Sequence, residues 1–356
     1  MPDDSRREDL PESERDGDGA SGRDGRDPGT VLITGCSSGI GRATALTFLE
    51  DDWTVYATAR DTDDLADLAE AGCAIDELDV TKQADVQRVV ERIVEEDGRI
   101  DALVNNAGYG RFGPIEEIPT EAMAHQFDVN VYGPHRLIRE VLPYMRRQER
   151  GAIVNVSSFW GRVAYGGAGA YAASKHALEA MSESLRQEVD PFGIEVSVIE
   201  PGPVDTQFTE RAEDELDELQ PTGEYPWFEA AFEDLSAIGG SGPAAVSPKE
   251  VAEAIHHAAS SEDPEPRYPV GVPGSVAMLG RFLPARWRDR DTRAGPRSRR
   301  RGRRRRHGNH GTRPARLAGR GTHAPRRRIS ERGGRRPGFP RTVPSRGRQP
   351  VRRRSA

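Results

Sequence analysis

Tyr171 and Lys175, in the run Tyr-Ala-Ala-Ser-Lys, place a phenol and an ammonium four residues apart. On a helix, positions i and i+4 share a face, so the ammonium can hold its charge near the phenol. A free tyrosine titrates at about pH 10. A neighbouring cation favours the phenolate, and the pair could then donate and accept protons near neutral pH. The same spacing also arises by chance on solvated helix faces, so the rest of the chain must decide its meaning.

A second chemical signal lies at Thr34-Gly-Cys-Ser-Ser-Gly-Ile-Gly41. Its Gly-x3-Gly-x-Gly spacing follows the apolar run Val31–Ile33 and opens a helical stretch. Glycines let a backbone turn tightly and approach a pyrophosphate, while a helix N-terminus offers N–H groups and a positive dipole end. Gly35, Ser37, Ser38, Gly39, Ile40 and Gly41 are therefore expected to cradle the phosphates of a dinucleotide. An acid roughly 20 residues on would select NAD, and a basic residue NADP. Here the second strand ends Ala57-Thr-Ala-Arg60, with Ala59 at the acid position and Arg60 beside it. NADP(H) is the expected cofactor and NAD(H) the second choice. Asp61, next to Arg60, weakens the inference.

Positioning these groups requires alternating strands and helices. Strands are predicted at 31–34, 54–59, 73–78, 100–104, 151–157 and 194–199. Helices are predicted from the glycine turn to about 51 and at 61–71, 82–97, 120–147 and 169–189. A helix over 251–259 and a short strand over 268–271 complete the pattern. Such alternation implies right-handed crossovers and a parallel sheet covered on both faces. The fold class is thus α/β, a doubly wound parallel sheet (Rossmann fold) in a single domain over 30–285. Residues 1–29, acidic and nearly free of apolar side chains, are expected to be disordered. The stretch 205–246 breaks the rhythm and carries Phe208, Tyr225, Trp227, Phe228 and Phe232. It reads as a substrate lid or as a surface excursion.

The net charge of −7 averages two opposite regions. Residues 291–356 hold 24 arginines against two acids, leaving the first 290 residues with 56 acidic and 27 basic side chains, a net of −29. Lysine occurs only at 82, 175 and 249. An acidic, lysine-poor globular part suggests adaptation to high salt, where self-repulsion is screened. Cys36 and Cys73 give neither a disulfide framework nor a metal spacing. No apolar run approaches the roughly 18 residues of a membrane span, and the polar N-terminus does not read as a signal peptide. A cytoplasmic protein without membrane contact is expected.

Taken together, these residues resemble the short-chain dehydrogenase/reductase (SDR) family over about 30–285. Thr34-Gly-x3-Gly-Ile-Gly41 is similar to its cofactor motif, and Asp79-Val80 to the pair that contacts adenine. Asn105-Asn106-Ala107-Gly108 resembles the motif after strand four, and Pro201-Gly202-Pro203-Val204-Asp205-Thr206 the segment that holds the nicotinamide carboxamide. Asn130, Ser158, Tyr171 and Lys175 match a catalytic tetrad, with Ser157 as an alternative hydroxyl. The resemblance implies hydride exchange between a nicotinamide and a ketone, aldehyde or alcohol. Tyr171 would be the acid/base, Lys175 would lower its pKa and hold the ribose, Ser158 would bond the substrate oxygen, and Asn130 would link Lys175 to solvent through water. Asn106, Ala107, Gly108, Pro201, Gly202, Val204 and Thr206 join the expected cofactor contacts. Tyr109, Phe112, Phe159, Trp160 and the aromatic excursion suggest an apolar substrate. Thr54–Arg60 and Arg267–Gly271 are most like the retinol and 17β-hydroxysteroid dehydrogenase branch. A homodimer or homotetramer is expected.

Parts of the sequence also fit two other function classes. A non-catalytic dinucleotide-binding regulator on the same fold would have no need of all four tetrad residues. A nucleic-acid-binding role rests on the arginine-rich tail, residues 286–356, alone. The family has no such extension, and the abrupt loss of acids matches a shifted reading frame in a GC-rich gene. The preferred order is a frameshift product, then a disordered tail without a role, then nucleic-acid binding.

Overall fold

The computed structural model describes residues 28–204, 206, 216, 219–228 and 245–271. The chain divides into Met1–Arg304 and Arg305–Ala356, and every described residue lies in the first unit. Most of the acidic N-terminal segment, most of the 205–246 excursion and the whole arginine-rich tail lie outside the described residues.

Short β-prone runs bounded by turns form the sheet. Its strands are β1 (Thr30–Thr34), β2 (Thr54–Ala59), β3 (Ala74–Glu77), β4 (Ala102–Asn105), β5 (Gly151–Val156), β6 (Ile194–Pro201) and β7 (Arg267–Val270). All pairings are parallel, in the order β3-β2-β1-β4-β5-β6-β7. Strand order reverses between β1 and β4. That reversal opens a crevice at the carboxyl ends of the strands, where doubly wound sheets bind ligands.

Successive strand residues point to opposite faces, and both faces are apolar. Val31 and Ile33 join one core with Phe48 of α1 (Gly39–Glu50), Leu68 of α2 (Ala66–Ala71), and Val251 and Ile255 of α7 (Pro248–Ser260). Leu32, Leu103 and Ile153 join the other core. There they meet Val86, Val89, Val90 and Ile93 of α3 (Gln83–Asp97), Leu137 and Val141 of α5 (Gly133–Gln148), and Leu185 and Val189 of α6 (Gly169–Val189). A Ser247/Glu250 capping box starts α7, satisfying orphan N–H groups of its first turn. No helix among the described residues is long and apolar enough to cross a membrane.

Two sequence expectations change. The helix expected at 61–71 starts as a 3-10 turn, Asp63–Leu65, before α2. The single helix expected over 120–147 is instead α4 (Thr120–Phe127), a π-helical turn (Asp128–Tyr132) and α5. Proline explains the interruption. Pro134 lacks an amide hydrogen, so the carbonyl of Asn130, four residues earlier, has no α-helical donor.

Candidate active site

The glycine turn joins β1 to α1 at the reversal of strand order. Gly35 has φ +73°, in the left-handed region that suits glycine. A Cβ on Gly41 would lie 2.2 Å from the Gly35 carbonyl oxygen and 2.5 Å from Asn106 Nδ2. Asn106 secures the turn from β4: its Nδ2 donates to the carbonyls of Thr34 and Gly35 at 2.9 and 3.0 Å. Thr34 Oγ1 accepts from the N–H groups of Asn106 and Ala107 at 3.1 and 3.0 Å. The first turn of α1 carries no acid, in a chain otherwise rich in them. That suits an anion at the dipole's positive end.

A cleft of about 580 Å³ runs from this turn toward α6, well within the range of small-molecule sites. Gly35, Ser37, Ser38, Gly39, Ile40, Arg60, Asp79, Val80, Asn106, Ala107 and Gly108 line it, and so do Ser158, Tyr171, Lys175, Pro201, Gly202, Val204 and Thr206. Two expected site residues are absent from that wall. Gly41 is buried under the turn, where its lack of a side chain lets α1 approach Gly35. Asn130 is fully buried behind the wall.

At one end of the cleft, Ala59 and the exposed Arg60 stand on the wall where β2 ends. The carboxylate of Asp61 accepts from the Asp63 N–H at 2.9 Å, so an acid still stands beside Arg60. Burial opposes ionisation of Asp79, yet its bonds from Thr81 N–H and Oγ1, at 3.0 and 2.7 Å, and the charge of Lys82 hold its carboxyl below the ordinary range.

At the other end stand the phenol and its neighbours. Tyr171 is 5% exposed and hydrogen-bonded to the Ser158 side chain. Ser158 Oγ also accepts from the Trp160 N–H at 3.3 Å. The alternative hydroxyl, Ser157, is buried against Gly161, where an added Cβ would meet its Oγ at 2.6 Å. Ser158 is thus the serine that faces the phenol.

Lys175 Nζ donates to the Val156 carbonyl at 2.8 Å and lies 5.9 Å from the Tyr171 ring centre. The expectation that Lys175 lowers the Tyr171 pKa is not met in this structure. Burial pushes the phenol above its ordinary value, with the Ser158 bond only partly offsetting it. Burial also draws the Lys175 ammonium down to about 8. Spacing brings the two groups together, but desolvation disfavours the charged form of each.

Asn130 is held from both sides. Its Nδ2 donates to the Tyr109 carbonyl at 2.9 Å and to Ser174 Oγ at 3.1 Å, and its Oδ1 accepts from the Tyr109 N–H at 3.1 Å. A Cβ on Gly108 would lie 3.1 Å from Asn130 Oδ1 and 3.6 Å from Lys175 Nζ. Asn130 therefore sits beside the lysine, with its side chain fixing the loop after β4. Asn105 is a structural neighbour. It donates to Asn155 Oδ1 at 2.8 Å, and Asn155 donates to Ser182 Oγ at 2.9 Å, tying β4, β5 and α6 together.

Aromatic rings form the far wall. Phe112 lies 5.5 Å from the Tyr171 ring, and Phe159 lies 4.6 Å from Trp160. The described part of the 205–246 excursion packs here. Phe228 joins this cluster, and Thr222 donates through N–H and Oγ1 to the buried Glu117 carboxylate, both at 2.7 Å. The lining residues His125 and Val129 carry no local sequence pattern that marks them.

The family model described as short chain dehydrogenase matches residues 29–217. An uncharacterised oxidoreductase of Escherichia coli strain K12, YbbO, is 38% identical over 263 residues, covering 73% of this chain and 93% of that protein. Human 17-beta-hydroxysteroid dehydrogenase type 1 is 37% identical over 251 residues, covering 67% and 76%. Among solved structures, a short chain dehydrogenase/reductase from Burkholderia phymatum in complex with NAD superposes with TM-score 0.60, at 29% identity over 71% of this chain and 91% of that one. A short chain dehydrogenase from Burkholderia cenocepacia in complex with NADP also gives 0.60, at 26% identity over 76% and 100%.

Proposed function

The chain belongs to the short-chain dehydrogenase/reductase family, an oxidoreductase acting on CH–OH and C=O groups, and we propose that it interconverts an apolar ketone or aldehyde and its alcohol with NADP(H). The observation that carries this reading is the cleft itself. It runs from a glycine turn and Arg60 at one end to Tyr171, Ser158 and an aromatic wall at the other.

The residues present fit a dinucleotide. Gly35 to Ile40 would hold the pyrophosphate, Asp79 and Val80 the adenine, and Pro201 to Thr206 the carboxamide. Bound there, the cofactor supplies or accepts the hydride. The chain does the rest. Ser158 orients the substrate oxygen, and Tyr171 Oη gives it a proton in reduction or takes one in oxidation. Lys175 holds the ribose hydroxyls, and Asn130 fixes the loop beside it. Phe112, Phe159 and Trp160 exclude water and favour an apolar body on the substrate.

Arg60 would select the 2′-phosphate. A charge-assisted hydrogen bond contributes about 1.5–3 kcal/mol, so Arg60→Ala should raise the KM for NADPH about 10- to 100-fold and leave that for NADH nearly unchanged. Initial rates with both cofactors test this, and an unchanged preference removes the assignment. The surplus of acids up to residue 290 supports adaptation to high salt. Far-UV CD and activity are expected to rise from low to molar salt, and full stability at low ionic strength would remove that idea.

A further inference from the structure

Behind the proton pair lies a second set of charges. Glu179 stands one turn after Lys175 on α6 and is 5% exposed. Its carboxylate pairs with the guanidinium of Arg267 on β7. The same Arg267 Nη1 lies 2.9 Å from Oε1 of Glu200, which is 1% exposed and near the end of β6. Arg162 Nε approaches Glu200, and Arg267 Nη2 approaches Glu183, each at 3.6 Å. Glu200 leads directly into Pro201 and Gly202 on the cleft wall, and the Gly202 N–H donates to the Val270 carbonyl at 2.9 Å.

Two buried carboxylates on one guanidinium is a costly arrangement. Buried ion pairs are often no more stabilising than apolar residues of the same volume, which directs attention to what this charge acts on. Tyr171 and Glu179 stand one turn before and one turn after Lys175 on α6, with the Val156 carbonyl on β5 and the neutral Asn130 and Gly108 on the other side. Among the described residues, Glu179 is the opposite charge that pulls Lys175 back toward the ammonium against burial. Around Glu179 itself the charged groups are Arg267, Glu200, Arg162, Glu183 and Arg186.

We propose that Glu179 is a positioning residue for the Tyr171–Lys175 pair: anchored by Arg267 against Glu200, it sets a buried negative charge one helical turn behind the lysine. The proposal rests on the reading of Tyr171 and Lys175 as the proton-handling pair. Arg267 pairs with both Glu179 and Glu200. The same guanidinium ties the lysine's helix to the strand that leads into the Pro201 segment. Both ends of the cleft's reactive half thus hang on one cation.

Lysine scarcity makes the test direct. The chain has three lysines, Lys82, Lys175 and Lys249, so protein labelled with ¹³C at lysine Cε gives three titrating NMR signals, assigned with Lys82→Arg and Lys249→Arg. Lys175 is expected to titrate at about 8. In Glu179→Gln it should fall by about one pH unit, while the two exposed lysines stay in place. The basic limb of kcat/KM for NADPH-dependent reduction should move down by the same amount. Glu179→Asp, which keeps the charge, should recover most of the shift, and it carries the test if the Gln variant does not fold. An unmoved Lys175 in a folded Glu179→Gln protein, or a shift as large in Glu179→Asp, overturns the proposal. The NMR titration needs no turnover. Failure of the underlying reading would show separately, as a Tyr171→Phe enzyme of near wild-type rate.

Discussion

Replacing Tyr171 by Phe should slow turnover by about 10²–10⁴-fold, the range for losing a positioned acid/base, while NADP(H) binding is retained. The ring stays in place against Phe112, and only Oη is removed. The buried Ser158 hydroxyl loses that partner, at a cost of about 1 kcal/mol, so the fold should survive. Because burial holds the phenol above its ordinary value, Tyr171 is protonated at neutral pH and loaded to donate in reduction. Oxidation needs the phenolate, whose fraction rises about tenfold per pH unit below the pKa. Alcohol oxidation by the wild type should therefore climb across pH 7 to 9, and the Phe variant should lose that dependence. Initial rates in both directions, with cofactor binding followed by fluorescence, check the expectation. A variant with near wild-type rate would remove Tyr171 from the chemistry.

Much of this site could be read along the chain because its signals are local. The glycine turn, the residues around Asp79 and the Asn106–Gly108 run each sit at the end of a strand, and the strand–helix alternation alone brings those ends to one edge of the sheet. Other features depend on distance. The Glu179–Arg267 pair spans 88 residues, and nothing near either residue announces the other. Burial is also invisible in a spacing. Tyr171 and Lys175 share one face of α6, but burial raises the phenol and lowers the ammonium, and spacing alone does not display it. The break at Asn130 is an intermediate case. Apolar periodicity runs through 120–147 and suggests one helix, yet Pro134, four residues beyond Asn130, was a visible reason to expect a disrupted ladder.

Gly41 separates a residue that touches ligand from one that shapes what does. It lies in the glycine motif but beneath the cleft, where a Cβ would sit 2.2 Å from the Gly35 carbonyl oxygen, 2.8 Å from its carbon and 2.5 Å from Asn106 Nδ2. Two of these neighbours are backbone atoms of the turn itself, so no side-chain rotation relieves Gly41→Ala. Either α1 moves away from β1, or the turn moves and the Asn106 bonds to Thr34 and Gly35 break. Overpacking of this kind costs about 1–3 kcal/mol, and buried polar groups left without partners add about 1–3 kcal/mol more. For a domain of this size about 3 kcal/mol corresponds to a Tm lower by roughly 6–12 °C. The cradle's N–H groups would shift with the turn, so the Kd for NADP(H) should rise at least about tenfold in protein that remains folded. Calorimetry and cofactor titration measure the two effects independently. If Tm falls while affinity holds, Gly41 serves only helix packing; if neither changes, the close approach of α1 to Gly35 is not what the turn requires.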